Sequence, residues 1–170
     1  TIAKSYRVPT FNDLFWRLQG NQSLLSENGW NQEIGLTYAI GQQWNFATTV
    51  YNRTVDNWIL WQPENGVWRP SNLLKVWSRG LENTLKWQTT INELQLYFSI
   101  QYDLTLSQNQ EGTSANDASV GKQLIYVPKH KLNANLKASY KDWTLVIYHQ
   151  YTGKVYTLVD NSDFLPAYHL

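Results

Sequence analysis

The sequence predicts an all-β fold, an antiparallel up-and-down meander, on three observations. Polar and apolar residues alternate with a period of two along several segments. The connections between those segments alternate between short and long. The composition suits pleated surfaces: nine Trp, eleven Tyr and five Phe make 15% of the 170 residues aromatic while only 16% are charged, whereas a helical protein would carry more Ala, Glu, Lys and Leu. A formal charge of +1 gives no electrostatic footprint for nucleic acid. The absence of cysteine removes disulfide frameworks, thiol nucleophiles and Cys-based zinc sites. The longest apolar runs, such as Trp58-Ile59-Leu60-Trp61, are too short for a helix to cross a membrane, so soluble β proteins and β-barrels remain.

Taken in chain order, residues 30–39 alternate loosely, with Trp30, Ile34, Leu36 and Tyr38 against Asn31, Glu33 and Thr37. Residues 44–61 are rich in aromatic and β-branched side chains but break strict alternation, as a bulged strand does. Residues 77–87 set Trp77, Leu81, Leu85 and Trp87 against Ser78, Glu82, Thr84 and Lys86. The clearest strand is 94–106, where Leu94, Leu96, Phe98, Ile100, Tyr102, Leu104 and Leu106 share one face. Residues 131–141 repeat the pattern, with Leu132, Ala134, Leu136, Ala138 and Tyr140 opposite Lys131, Asn133, Asn135, Lys137 and Ser139. Residues 143–158 form an irregular strand like 44–61.

Short turns are expected at 41–43, 91–93 and 141–142, and long polar connections at 9–29, 62–72, 108–122 and 159–166. A meander with tight turns at one end and long loops at the other is the pattern of an outer-membrane barrel. The strand segments exceed the usual length of about five or six residues in soluble proteins. Trp77 and Trp87, on one face, would stand about 25 Å apart along the membrane normal at roughly 3.3 Å per residue and about 40° of tilt, the height of an apolar band. Trp44, Trp87 and Trp143 sit beside the short turns as one aromatic girdle would, and Trp58, Trp61, Trp68 and Trp77 gather towards the other end. The first residues, Thr1 to Ser5, do not read as a signal peptide, so an exported precursor would need one upstream.

Ser5-Tyr6-Arg7-Val8-Pro9-Thr10-Phe11-Asn12-Asp13-Leu14-Phe15-Trp16 resembles the segment of TonB-dependent outer-membrane transporters in which a strand exits into an external loop. Gly20-Asn21-Gln22-Ser23-Leu24-Leu25-Ser26-Glu27 is similar to that family's Gly-Asn-Pro-x-Leu-x-Pro-Glu, with both prolines replaced, at Gln22 and Ser26. Glu33-Ile34-Gly35-Leu36, Asn72 with Arg79-Gly80-Leu81-Glu82, Tyr126-Val127-Pro128, Tyr151-Thr152-Gly153 and Leu165-Pro166-Ala167-Tyr168 extend the likeness over nearly the whole chain, the late segments being most similar to cobalamin and siderophore members. The resemblance implies a segment of a 22-stranded barrel in the bacterial outer membrane, with the plug domain, the TonB box and the last strands absent from residues 1–170. It further implies import of a scarce nutrient, cobalamin or an iron siderophore, with membrane lipid outside the barrel and the TonB complex engaged through the plug. The loop residues Trp16, Trp61, Trp68 and Arg69 are the expected ligand contacts, the last two lying in a Pro63 to Pro70 loop that offers an aromatic and a cation. Glu33, Glu82 and Lys137 are expected to face the lumen and plug.

Nothing in the sequence sets up an enzyme, a cofactor site or a metal site. His130, His149 and His169 have no metal-ligand spacing. No spacing brings together two of Glu33, Asp56, Glu82 and Asp103, as a glycosidase needs, and there is no Gly-x-Ser-x-Gly elbow or phosphate loop. The sequons at Asn21 and Asn52 receive no role. The rival class is a soluble β-sandwich that binds carbohydrate through exposed Trp and Tyr, which requires the apolar faces to pack against one another. A barrel segment instead turns its apolar face outward, and such a piece in isolation would self-associate through open strand edges.

Overall fold

The computed structural model describes every residue except Thr113 and Ala115, which fall in the long connection expected at 108–122. One sheet runs β1 (Ile2–Arg7), β2 (Glu27–Ile40), β3 (Trp44–Glu64), β4 (Val67–Ile91), β5 (Leu94–Asn109), β6 (His130–Tyr140) and β7 (Trp143–Thr152), each antiparallel to the next. β8 (Val155–Tyr156) and β9 (Phe164–Leu165) form a small separate ribbon, and β10 (Tyr168–His169) pairs with β7. A short helix, α1 (Phe11–Phe15), interrupts the connection from β1 to β2.

Directly opposed residues of an antiparallel pair share a face, so the register sorts the side chains. Phe46 opposes Leu85, Leu85 opposes Ile100, and Ile100 opposes Ala134. Nearer the short turns, Trp44, Trp87, Phe98, Leu136 and Ile147 form a parallel row, with the Trp44 and Trp87 ring centroids 5.9 Å apart. The other face carries Thr49, Glu82, Asp103 and Lys131 in one row and Gln88, Tyr97 and Lys137 in another. Among the described residues no second sheet covers the apolar face: Ile34 is 81% exposed, and Leu36, Leu145 and Ile147 are exposed too. The carbohydrate-binding sandwich is therefore excluded, because its apolar faces would be buried against each other.

Two expected boundaries change. Residues 62–72 are not a long polar loop. The β3–β4 ladder continues through Gln62↔Arg69 and Pro63↔Trp68 to Glu64↔Val67, closed by Asn65-Gly66, both with left-handed φ (51° and 78°). Asn-Gly is the favoured pair for a two-residue hairpin whose twist matches its strands, and it outweighs the flanking prolines. The strand expected at 143–158 stops at Thr152, where Gly153 leaves the β7 ladder with its N–H on the His130 carbonyl.

The buried side chains gather at the long-loop end. Leu73, Val76 and Leu124 form a cluster against which Trp58, Leu60 and Val127 pack. Leu124 belongs to the β5–β6 connection, which folds back on the polar face instead of extending into solvent. Its Gln123 side chain accepts the Ser107 N–H at 3.1 Å and donates to the Thr105 and Val127 carbonyls. Asn161 fastens the backbone of Gln123 from the β8–β9 connection, accepting its N–H at 3.0 Å and donating to its carbonyl at 2.9 Å. Lower on the same face Tyr51 lies across Gly80, where an added Cβ would fall 2.5 Å from the ring, and its hydroxyl reaches Thr105 Oγ1 at 3.1 Å. Glycine thus lets one aromatic ring bridge β3, β4 and β5.

Candidate functional site at the long-loop end

Four expected ligand contacts lie at this end, held in different ways. Thr10 and Asp13 form a capping box on α1: the Thr10 N–H and hydroxyl both donate to Asp13 Oδ2 at 2.8 Å, and Thr10 Oγ1 accepts the Asp13 N–H. The other oxygen of Asp13 accepts Trp61 Nε1–H at 2.8 Å. Trp61 is therefore a tether between the β3–β4 ribbon and α1. Trp16 stands at the end of the same helix and is 52% exposed.

Burial of Asp13 raises its pKa, but hydrogen bonds from the Thr10 backbone, Trp61 and the Thr10 hydroxyl, with the nearby Arg7 charge, outweigh that and hold the carboxyl below its ordinary value. Further along the connection, Asn21 donates to the Pro70 carbonyl at 3.2 Å. Asn72 accepts the Leu25 N–H at 2.8 Å and donates to the carbonyls of Leu25 and Asn57. Glu27 pairs with Arg7 at 2.8 Å and accepts the Ile59 N–H. The whole β1–β2 connection is thus stapled to the ribbon.

Trp68 lies near the ribbon tip, 40% exposed, with its ring centroid 5.9 Å from that of Tyr126. The register sets Arg69 opposite Gln62, on the other side of the ribbon from Trp61 and Trp68. Arg69 is exposed. The geometry thus links Trp16 and Trp61 through Asp13, and joins Trp68 to the β5–β6 connection, without gathering all four around one point.

Of the expected lumen residues, Glu33 and Glu82 both line a concavity of about 380 Å³ on the polar face, together with Tyr51, Arg53 and Trp58. Lys137 stands apart, opposite Tyr97 and beside a wide recess near the short turns. The residues that sequence reasoning missed are Asp13, Tyr126, Gln123 and Asn161. Asp13 had a readable signal, because Thr10-x-x-Asp13 is a capping pattern; the others depend on contacts distant in sequence. Also unforeseen is the approach of His169 Nδ1 to His149 Nε2 at 3.3 Å, although no cluster of three or more metal-ligating side chains forms among the described residues.

A sheet with an uncovered apolar face, a polar opposite face, short turns at one end and an elaborated other end defines an outer-membrane β-barrel wall. Family comparison agrees: the model for the TonB dependent receptor-like β-barrel matches residues 1–170. The chain is 31% identical over 170 residues to the Vitamin B12 transporter BtuB of Photobacterium profundum, an alignment covering 97% of this chain and 26% of that relative. It is 31% identical over 91 residues to the Vitamin B12 transporter BtuB of Vibrio vulnificus, covering 52% of this chain and 14% of that protein. Among solved structures, the copper transporter OprC superposes with a TM-score of 0.74 at 16% identity, over 99% of this chain and 26% of its own. The ferric yersiniabactin uptake receptor FyuA from Yersinia pestis gives 0.67 at 16% identity, over 99% and 25%.

The chain belongs to the TonB-dependent receptor family, as a segment of its outer-membrane barrel. It spans about a quarter of the length of the first of these relatives.

Proposed function

We propose that this segment supplies barrel wall and external loops to a transporter that imports cobalamin across the outer membrane, with an iron siderophore as the second ligand class. The observation that carries the cobalamin reading is the 31% identity, along nearly the whole chain, to a vitamin B12 transporter. Trp16, Trp68 and Arg69 are the ligand-facing residues in this reading, offering rings and a cation to a large planar ligand. Trp61 has its indole N–H committed to Asp13, so it contributes by holding α1 and Trp16 in place. Glu33 and Glu82 face the plug inside the barrel, and the plug engages the TonB complex. Transport needs no covalent step from these residues, and none is assigned.

The test is uptake by the complete transporter in cells lacking their own cobalamin receptor. Labelled cyanocobalamin should accumulate, and the double substitution Trp68→Ala with Arg69→Ala should reduce binding at least about tenfold, a loss of about 1.4 kcal/mol. Accumulation of a ferric siderophore but not cyanocobalamin would replace the first ligand with the second. Unchanged binding in the double variant would remove both residues from the site.

A further inference from the structure

We propose that the outward rim of β6 and β7 carries a site for an anionic, phosphate-bearing lipid of the surrounding membrane. A concavity of about 420 Å³ opens where these strands leave the sheet, walled by Tyr151, Tyr156 and Phe164 and closed by Pro166 and Ala167. Its wall includes His130 and Tyr151, which stand in the outward rows of the sheet, opposite Leu104 and Leu132 respectively. The concavity therefore opens on the membrane side of the wall.

Two cations border this apolar surface. Lys154 Nζ lies 5.3 Å from the ring centroid of Tyr156 and 5.1 Å from that of Phe164, and Lys129 lines the same concavity. Among the described residues neither lysine is ion-paired with a carboxylate. In the β8–β9 connection, Asp163 accepts the Thr157 hydroxyl at 2.6 Å.

Height fixes the kind of occupant. β7 spans 10 residues from Trp143 beside the short turn to Thr152. At about 2.5 Å of height per residue in a strand tilted about 40°, that is roughly 25 Å, the full apolar band. The lysines thus stand at the headgroup level, with aromatic surface below them. An apolar floor under two uncompensated cations, outside a membrane wall, fits a lipid whose chain lies on Tyr151 and Phe164 and whose phosphate reaches Lys129 and Lys154. A free anion would have no use for the floor, and a zwitterionic head would gain little from the cations.

The complete barrel containing this chain, purified in non-ionic detergent, is titrated with phosphatidylglycerol or phosphatidylcholine, and bound lipid is counted by native mass spectrometry. Phosphatidylglycerol should be retained in preference, and Lys129→Gln and Lys154→Gln should each weaken its retention about fivefold, from roughly 1 kcal/mol per lysine near an anionic surface. Lys141→Gln, at the opposite end beside Glu93, should leave retention unchanged. Phe164→Ser should lower retention of both lipids. Equal retention of the two lipids, a preference that survives the double lysine variant, or displacement of the lipid by inorganic phosphate would overturn the assignment.

Discussion

In β3 no residue before Val55 is buried, in β4 none after Ser78, and in β5 none before Ser107. Beyond that level β3 carries Val55 and Ile59, β4 carries Leu73 and Val76, and β5 carries Ser107 and Asn109, with Leu124 folded onto Leu73 and Val76. The lower region is a wall one sheet thick. Its backbone ladder is satisfied between strands, and its two faces must be completed by something outside the chain, lipid on one side and lumen contents on the other. The upper region builds a small core from side chains, so its shape is set by packing within the chain. The contrast explains how a wall that depends on its surroundings can still present loops in a fixed arrangement.

The largest expected effect is on the upper region alone. Val76 is fully buried, and Val76→Asp would place a carboxylate among Leu73 and Leu124 at a cost of about 3 kcal/mol or more. The β5–β6 connection should become protease-sensitive while the β-sheet circular dichroism signal persists. Loss of the whole sheet signal would show that the two regions are not separable.

Next in size is Gly80→Ala, whose new methyl would meet the Tyr51 ring and the Leu104 carbonyl. Overpacking of this kind costs about 1–3 kcal/mol, to be read as a lowered unfolding midpoint in micelles. Gly35→Ala, which meets only the Thr49 hydroxyl and the Thr48 carbonyl at 3.3 and 3.7 Å, should cost less.

The smallest effect is local. Asp13→Asn weakens the capping box and the Trp61 tether, for about 1–2 kcal/mol, seen as faster amide exchange in residues 10–21. Because the folded-state pKa of Asp13 lies below the ordinary 3.8, its stabilisation is complete above that value. It is lost as pH falls through the lower folded-state value. An acid step below about pH 4 should therefore lower the amide protection factors of that segment, taken relative to the slower intrinsic exchange in acid, and lower them much less in the Asn variant.

The wall was legible in the sequence because its physics is local. Alternation along 94–106 and 131–141 assigns faces without knowledge of any partner, and the short turns fell where expected. The upper region was not legible for the opposite reason. Leu124 follows a polar stretch, and only the fold shows that it buries against Leu73 and Val76. The hairpin at Asn65-Gly66 was available from turn chemistry, but the flanking prolines pointed to a loop. The hydrogen bond from Trp61 to Asp13 left no local trace because the two residues lie far apart in sequence. Trp44 and Trp87, both expected beside the short turns, oppose one another there.

The most direct test of the outward apolar face uses the lack of native cysteine in this chain. Single cysteines at each position from 96 to 104 of β5, spin-labelled in the complete barrel reconstituted in bilayers, report contact with dissolved oxygen, which concentrates in lipid. Oxygen accessibility should peak at 96, 98, 100, 102 and 104 and fall at the residues between them. A flat profile, or peaks at 97, 99, 101 and 103, would contradict the account.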